Sequence, residues 1–296
     1  MFNTSQEIPC KTSLFFILIF SLILCVQSPL PVAVFHGIGD ACDFPGTTDF
    51  VDYLKEKLHT DVKCIEQGNG FFTSWFTKFF KQTEMACDSI KNDPIFQEDF
   101  SVLGISQGSL IARYIIQKCD MKGKVKNFVS IAGPHMGIAG IPRLNCGWFC
   151  EKINFLAGKL MYTDAFQNHL GPAGYYKDKF NLEVYKEYSS FLADLNNEKE
   201  VKNTEYKRRF SELNRVVLIM NESDTVINPP STAWFEFYEP SKNSVIPLKE
   251  SEFYKEDYIG LKELDSLGKV RFVKLNGDHI HFSDYDIDTY MIPVLE

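Results

Sequence analysis

Short apolar runs alternate along the chain with stretches of helical periodicity. Buried-type strands are predicted at 31–36, 62–65, 100–105, 125–132, 215–220 and 270–275. Helices are predicted at 48–58, 75–90 and 283–294, and another follows Ser106 and ends near Cys119. Strands that alternate with helices in this way predict an α/β fold, a mostly parallel sheet covered by helices on both faces.

One long stretch interrupts this alternation. Residues 133–214 have no strand character and contain several helical segments. Loops of that length are uncommon in compact domains unless they carry function. We therefore predict one domain over 29–296, with an inserted helical cap over the active site at about 133–214.

The first 28 residues differ from the rest. A polar start that includes Lys11 precedes an apolar stretch at 14–26, which is shorter than the roughly 20 residues that span a bilayer. This pattern predicts a cleavable signal peptide at 1–28, with a retained N-terminal anchor as the alternative. The mature protein is then expected to follow the secretory route without a stable membrane span.

Charge and aromatic content narrow the possible ligands. The net charge of −8 argues against electrostatic binding to nucleic acid or to an anionic membrane surface. The 26 phenylalanines are accounted for by core packing, or in part by an apolar substrate channel.

Six cysteines remain after the predicted cleavage, and an even number in an oxidising compartment predicts disulfides. They are Cys42, Cys64, Cys87, Cys119, Cys146 and Cys150. The spacing of Cys146 and Cys150 would suit half a zinc site, but no second His/Cys pair with ligand spacing accompanies it. We expect no metal and no cofactor.

The segment from Gly104 to Gly108 has the pattern Gly-x-Ser-x-Gly, with Ser106 at its centre. It follows an apolar strand and opens an apolar helix, which is the position of the nucleophile elbow in the α/β-hydrolase fold. The alternative is an ordinary surface turn. The placement predicts that Ser106 is a nucleophile.

A serine nucleophile needs a base, and the base needs an orienting acid. In this fold the acid and then the histidine follow the serine along the chain. Asp224 comes directly after the strand at 215–220, with Glu222 as a competitor. His279 follows the last strand, and His281 is close enough to remain an alternative.

The substrate oxygen that becomes negative needs fixed hydrogen-bond donors. One predicted donor is the backbone N–H of Gln107, directly after the nucleophile. The other is the N–H of Ile38, in the turn that follows the first strand. The alternative for that turn is an ordinary glycine turn at the end of a strand.

With these elements assigned, nearly all of the mature chain resembles the palmitoyl-protein thioesterase family. Besides the segments at 36–40, 104–108 and 277–279, several further motifs carry the likeness, and they have no general catalytic reason to occur. These are Ile141-Pro142-Arg143, Phe191-Leu192-Ala193-Asp194-Leu195-Asn196, Trp234-Phe235-Glu236-Phe237-Tyr238, Ile246-Pro247-Leu248 and Gly260-Leu261-Lys262-Glu263.

The resemblance implies a thioester hydrolase that removes palmitoyl groups from S-acylated cysteines of proteins or peptides. Ser106, Asp224 and His279 would be the catalytic residues, and acyl-CoA a further substrate. It also implies the disulfides Cys87–Cys119 and Cys146–Cys150, and a lysosomal or secreted location. Cys42 and Cys64 are left free or paired in another way.

Two expectations concern the surface and the acyl group. The sequon Asn221-Glu222-Ser223 almost touches the predicted acid, where a glycan is not expected to fit.

The acyl chain is predicted to lie in a groove beneath the insertion, although apolar side chains at helical spacing are more often part of the core. The candidates are Phe149, Phe155, Leu156, Leu160, Met161 and Phe166.

Two other functions fit the same motifs. A lipase or carboxylesterase that cleaves oxygen esters would use the same three residues. A hydrolase fold that has lost catalysis could serve as a binding module, although the intact set of candidate residues argues against it.

Overall fold

A computed structural model describes residues 29–140, 158 and 160–296. The predicted signal peptide at 1–28 and the motif at 141–143 lie outside the described residues. So do five residues named above: Cys146, Phe149, Cys150, Phe155 and Leu156. Among the residues that are described, no helix is long and apolar enough to cross a membrane.

The fold contains eight strands within the described residues: β1 (Val32–Phe35), β2 (Val62–Cys64), β3 (Phe100–Ile105), β4 (Val125–Ile131), β5 (Arg215–Asn221), β6 (Phe237–Tyr238), β7 (Val245–Ile246) and β8 (Val270–Leu275). Six of them form the central sheet, in the order β2-β1-β3-β4-β5-β8, and every pairing within it is parallel. A separate antiparallel pair joins β6 to β7. All six predicted strands are present, within two residues of their predicted ends.

Alternate residues of β1 face two separate cores. Val32 and Val34 pack in one cluster with the first helix and the C-terminal helices. Ala33 and Phe35 pack in the other cluster with the helices that flank Ser106. Because both faces of the sheet are covered at its centre, the inner strands are mostly apolar, whereas the edge strands β2 and β8 carry exposed Lys63, Arg271 and Lys274. The sheet order and its helical layers confirm the predicted α/β-hydrolase fold.

The strand order also locates the functional end of the sheet. After β1 the chain moves outward to β2 and then returns to place β3 on the other side of β1. In open α/β sheets, ligands bind at the carboxyl ends of the strands where the order reverses in this way. That point is the end of β1 and β3, where the turn at 36–40 and Ser106 meet.

The helix predicted at 75–90 is wrong, because two helices occupy this region. Helix α1 (Pro45–Leu58) is followed by α2 (Phe71–Phe76) and α3 (Phe79–Asn92). Between them, Thr77 has an extended backbone and Lys78 is also non-helical, with φ −45° and ψ 128°. The side-chain amide of Gln82 donates to the Thr77 carbonyl at 2.8 Å and satisfies the broken turn.

The remaining helices cover the sheet and form the region between β4 and β5. Helix α4 (Gln107–Gln117) follows the nucleophile, as predicted. The described part of 133–214 contains helices at Asp164–His169, Leu182–Tyr188, Leu192–Leu195 and Thr204–Ser211. Further helices span Glu252–Lys255, Leu261–Ser266, Asp284–Asp286 and Ile292–Leu295, with a π-helical turn at Ile287–Met291. The interpretation of 133–214 as a cap stays a prediction.

Short 3-10 turns complete the secondary structure. They lie at Pro94–Phe96, Gly171–Tyr175, Pro230–Trp234 and Leu248–Glu250. The turn at Gly171–Tyr175 matters for the site, because it packs against α2 and α3 beside Ser106.

Candidate active site

Ser106 lies in a sharp turn between β3 and α4, with φ 51° and ψ −121°. Few residues other than glycine adopt this conformation, and such strain is typical of functional positions. The flanking glycines have a steric reason. A Cβ on Gly104 would lie 2.4 Å from Ser109 Cα, and one on Gly108 would lie 2.1 Å from the carbonyl oxygen of Phe35. The Gly-x-Ser-x-Gly pattern therefore follows from the close packing of strand, turn and helix.

The structure brings Ser106, His279 and Asp224 together in one line of hydrogen bonds. His279 Nε2 is 2.9 Å from Ser106 Oγ, and His279 Nδ1 is 2.7 Å from Asp224 Oδ2. The Asp224 side chain is only 2% exposed. Its other oxygen accepts the backbone N–H groups of Val226 and Ile227. This geometry suits proton transfer from Ser106 to an imidazole that a buried carboxylate orients.

The two competing residues lie elsewhere. Glu222 is 53% exposed and forms an ion pair with Lys274 at 2.8 Å. His281 is exposed, and its backbone carbonyl accepts a hydrogen bond from the side chain of Asn221. Asn221 itself is buried, and its side-chain amide is engaged by this hydrogen bond inside the fold.

Asp278 holds the histidine loop, a role that the sequence analysis missed. Its carboxylate accepts the backbone N–H groups of Thr225 and His279 at 2.8 and 2.7 Å. These donors lower the pKa of Asp278 below its ordinary value. Its position directly before His279 was the one signal in the sequence. The contact joins the loop that contains Asp224 to the loop that contains His279, so these two catalytic candidates are positioned together.

The turn at 36–40 lies against the nucleophile. A Cβ on Gly37 would be 3.4 Å from Ser106 Cβ, and Ile38 and Ser106 line the same cavity. The backbone N–H of Gly39 donates to Ser74 Oγ at 2.9 Å, which ties the turn to α2. Gln107 begins α4 directly after Ser106. Ile38 and Gln107, whose N–H groups are the predicted oxyanion donors, therefore both lie beside the nucleophile.

An apolar cavity of about 260 Å³ has Ser106 in its wall. Its other walls include Ile38, Trp75, Leu170, Tyr175, Tyr176 and Ile227. Of the predicted groove residues, Met161 lines it. Leu160 is instead 48% exposed, and Phe166 packs against the core. The described walls come mainly from loops and turns that the tertiary fold brings together.

Comparison with known proteins places the chain in a family. A family model described as palmitoyl protein thioesterase matches residues 31–279. The chain belongs to the palmitoyl protein thioesterase family. It is 34% identical to palmitoyl-protein thioesterase 3 of Dictyostelium discoideum, over 94% of this chain and 93% of that protein. It is 32% identical to palmitoyl-protein thioesterase 1 of Caenorhabditis elegans, over 88% and 93%. A lysosomal thioesterase homologue of Drosophila melanogaster is 29% identical, over 85% of each chain.

In this member of the palmitoyl protein thioesterase family, an ion pair between buried His36 and partly exposed Glu66 supports the turn beside Ser106. His36 is 1% exposed, and it donates from Nε2 to Glu66 and from Nδ1 to the Gly37 carbonyl, at 2.9 and 2.8 Å. Burial by itself lowers the pKa of His36. The hydrogen bond and charge of Glu66 outweigh burial, so this pKa lies above its ordinary value. Burial by itself raises the pKa of Glu66. The hydrogen bonds from His36 and the Cys42 N–H outweigh burial, so this pKa lies below its ordinary value.

This pair predicts a stability that depends on pH. The carboxylate of Glu66 stabilises the fold above its ordinary pKa of 4.5, and protonated His36 does so below its ordinary pKa of 6.5. Stabilisation is therefore complete between these values, and it declines as pH rises through the raised pKa of His36. Glu66→Gln should lower the unfolding temperature by roughly 2–4 °C more at pH 5.5 than at pH 8.5, for a partly exposed pair worth about 1 kcal/mol.

Calorimetry at the two pH values measures this difference. Asp52→Asn is the matched control, because Asp52 pairs with Lys55 on the exposed surface without a histidine. Equal destabilisation by Glu66→Gln at both pH values would contradict the pairing of charged His36 with Glu66.

The same region contains the one group of possible metal ligands found among the described residues, namely His36, Cys42 and Glu66. Cys42 Sγ is bonded to Cys64, and His36 and Glu66 hydrogen-bond each other. Their donor atoms are thus already engaged, and the set does not suit a metal ion.

Two disulfides lie within the described residues. Cys87 of α3 is bonded to Cys119 just beyond α4, the pairing that the resemblance implied. Cys42 is bonded to Cys64, with 5.6 Å between their Cα atoms, which resolves the pairing left open from the sequence. This bond joins the segment after the turn at 36–40 to β2, so it fixes the chain beside the nucleophile.

Proposed function

We propose that this chain is a palmitoyl-protein thioesterase that cleaves the thioester between a long-chain fatty acyl group and a cysteine. The observation that carries the proposal is the hydrogen-bonded line of Ser106, His279 and Asp224 beside an apolar cavity, in a chain of this family. Its proposed substrates are S-palmitoylated proteins or peptides, and acyl-CoA.

The first step is acylation of Ser106. Its Oγ attacks the thioester carbonyl carbon while His279 Nε2 takes the hydroxyl proton, and buried Asp224 stabilises the imidazolium. The N–H groups of Ile38 and Gln107 are proposed to hold the substrate oxygen as it becomes negative. The carbon–sulfur bond then breaks. The acyl group remains on Ser106 as an ester, and the thiolate takes the proton from His279 and leaves as a thiol.

The second step is hydrolysis of this ester. His279 removes a proton from water, and the oxygen of the water attacks the acyl carbon. The bond from this carbon to Ser106 Oγ breaks, and the proton on His279 returns to Oγ. The fatty acid leaves, and the protein is restored.

The cavity supports an apolar acyl group. Its volume of about 260 Å³ lies just below the lower limit of ordinary ligand sites, about 300 Å³. A narrow hydrocarbon chain fits such a space better than a bulky ligand does. Leu170 and Tyr175 belong to the region between β4 and β5, so we propose that the insertion at 133–214 acts as a cap that supplies part of this wall.

Leu170→Trp tests whether the cavity holds the chain. Leu170 is half-buried in the cavity wall, and indole in its place should narrow the space. We expect kcat/KM for a palmitoyl thioester to fall roughly tenfold relative to that for a butyryl thioester. Leu160→Trp is the control, since Leu160 is exposed. An unchanged chain-length profile in Leu170→Trp would exclude this cavity as the acyl site.

The leaving group separates a thioesterase from a lipase. A thiol has a pKa near 8.5, so a thiolate departs without the strong protonation that an alkoxide needs. Hydrolysis of palmitoyl-CoA should be compared with that of a matched palmitoyl oxygen ester, at mildly acidic and neutral pH, with Ser106→Ala as control. A preference for the thioester that disappears in the variant supports the proposal. Equal or faster cleavage of the oxygen ester would favour a lipase, and activity on neither would favour a binding module.

The location is proposed to be the lysosome or the extracellular space. The predicted signal peptide supports entry to the secretory route, and the name of the Drosophila relative describes a lysosomal protein. The two disulfides suit an oxidising compartment.

A further inference from the structure

Five aromatic side chains form an exposed surface beside the candidate active site. They are Phe44, Phe71, Phe72, Trp75 and Phe76, and we call them the aromatic patch. Phe72 and Phe76 are each 61% exposed. Contiguous apolar surface of this kind is uncommon on a protein without a binding role.

The patch is continuous, because its rings contact one another. The ring centroids of Phe44 and Phe71 are 6.4 Å apart, and those of Phe71 and Phe72 are 5.2 Å apart. Phe72 and Phe76, one helical turn apart, are separated by 6.5 Å. The four phenylalanines therefore form one uninterrupted aromatic surface.

An ordinary surface helix buries its apolar face, but helix α2 exposes its aromatic side chains. Its buried residues are Thr73 and Ser74, while its aromatic residues point outward. Hydrogen bonds hold it in this orientation. Ser74 Oγ accepts from Gly39 N and donates to the Phe71 carbonyl, and Thr73 Oγ1 donates to Asn69 Oδ1. Its aromatic face is thus left for a partner.

Trp75 joins the patch to the acyl cavity. It lines the cavity with Ser106, and it is 37% exposed, so the cavity reaches the surface at this side chain. A second copy or a stable protein partner on the patch would obstruct this entrance. A fluid apolar phase that contains the acyl chain would not.

The charge distribution also favours a lipid surface. Residues 67–83 contain no Asp or Glu, although the whole chain has a net charge of −8. The charged residues of this segment are Lys78 and Lys81. Insertion of the aromatic patch into a lipid surface would therefore bury no carboxylate from this segment. Asp43 borders the patch beside Phe44. The overall negative charge opposes anionic lipid, which leaves a zwitterionic bilayer as the partner.

We propose that the aromatic patch docks on the surface of a zwitterionic bilayer and brings the cavity entrance to membrane-anchored acyl chains. Aromatic rings are well suited to the boundary between headgroups and acyl chains. This inference rests on the proposed function, because it narrows the proposed substrates to acylated proteins at a membrane.

The test compares Phe72→Ser/Phe76→Ser with Leu267→Ser. Leu267 is also 61% exposed, but it precedes β8 and lies at the end of the sheet opposite Ser106. Flotation with phosphatidylcholine vesicles should show binding by the wild type and by Leu267→Ser. The bound fraction of the double variant should fall by about tenfold or more, since the two most exposed rings of the patch are replaced by polar side chains. Binding should change little with salt.

Activity distinguishes this inference from the proposed function. The double variant should hydrolyse a soluble short-chain thioester at the wild-type rate and lose about tenfold on a palmitoylated peptide held in vesicles. Flotation is informative even if no thioester is cleaved, in which case the proposed function fails while docking is still tested.

Three results would overturn docking. The first is equal flotation of the wild type and the double variant, and the second is no flotation of the wild type. The third is a wild-type dimer that the double variant converts to a monomer, since a second copy would then occupy the patch. Matched thermal unfolding of the variants shows that a loss of binding is not a loss of fold.

Discussion

Replacing Ser106 with alanine is expected to lower kcat by about 10⁶-fold, the effect of removing a serine nucleophile from a complete triad. The hydroxyl has no substitute, since His279 Nε2 lies 2.9 Å from Ser106 Oγ and would have no proton to take from alanine. The fold should be unaffected. Alanine and serine meet the same steric restriction at φ 51°, so the strained turn is no worse in the variant.

Steady-state hydrolysis of palmitoyl-CoA and thermal unfolding measure the two halves of this prediction. The variant should unfold within a degree or so of the wild type, given that one small side chain changes. Activity within tenfold of the wild type would remove Ser106 from the mechanism. An inactive variant that is also unfolded would contradict the claim that the loss is chemical.

The second large effect is expected from Asp224→Asn, with a loss of roughly 10⁴-fold in kcat. The oxygen that accepts the N–H groups of Val226 and Ile227 is retained in asparagine. Its NH₂ group would then face His279 Nδ1, which must accept instead of donate. The proton of the imidazole moves to Nε2, and Nε2 can no longer take the proton of the serine.

Glu222→Gln is the control for this prediction. Glu222 was the competing acid in the sequence, and it pairs with Lys274 at the surface. Its replacement should leave kcat within about twofold, in keeping with a surface ion pair. A large loss in Glu222→Gln, or near wild-type activity in Asp224→Asn, would contradict the assignment of Asp224 as the orienting acid.

The sheet was predictable because its four inner strands are buried on both faces. Runs such as Phe100–Ile105 are apolar at nearly every position, so their pattern does not depend on which neighbours they meet. The break between α2 and α3 was not predictable. It depends on the side-chain amide of Gln82, whose contact with the Thr77 carbonyl exists only in the folded chain. Local periodicity has no signal for such a bond.

The candidate site also has a part that the sequence predicts and a part that it does not. The order Ser106, Asp224 and His279 follows from chain positions at strand ends, which the sequence displays directly. The cavity walls do not, because Trp75 of α2, Leu170 and Ile227 come from separate segments of the chain. The Cys42–Cys64 bond and the His36–Glu66 pair join residues that are 22 and 30 positions apart. Spacing in one sequence leaves such partners open.

The most direct test of the proposed function is to compare the wild type and Ser106→Ala in the hydrolysis of an S-palmitoylated cysteine peptide. Free thiol and palmitate would be measured together over time. We expect the wild type to release the two in equal amounts, and the variant to release neither above the background rate. No release by the wild type, or equal release by both proteins, would contradict it.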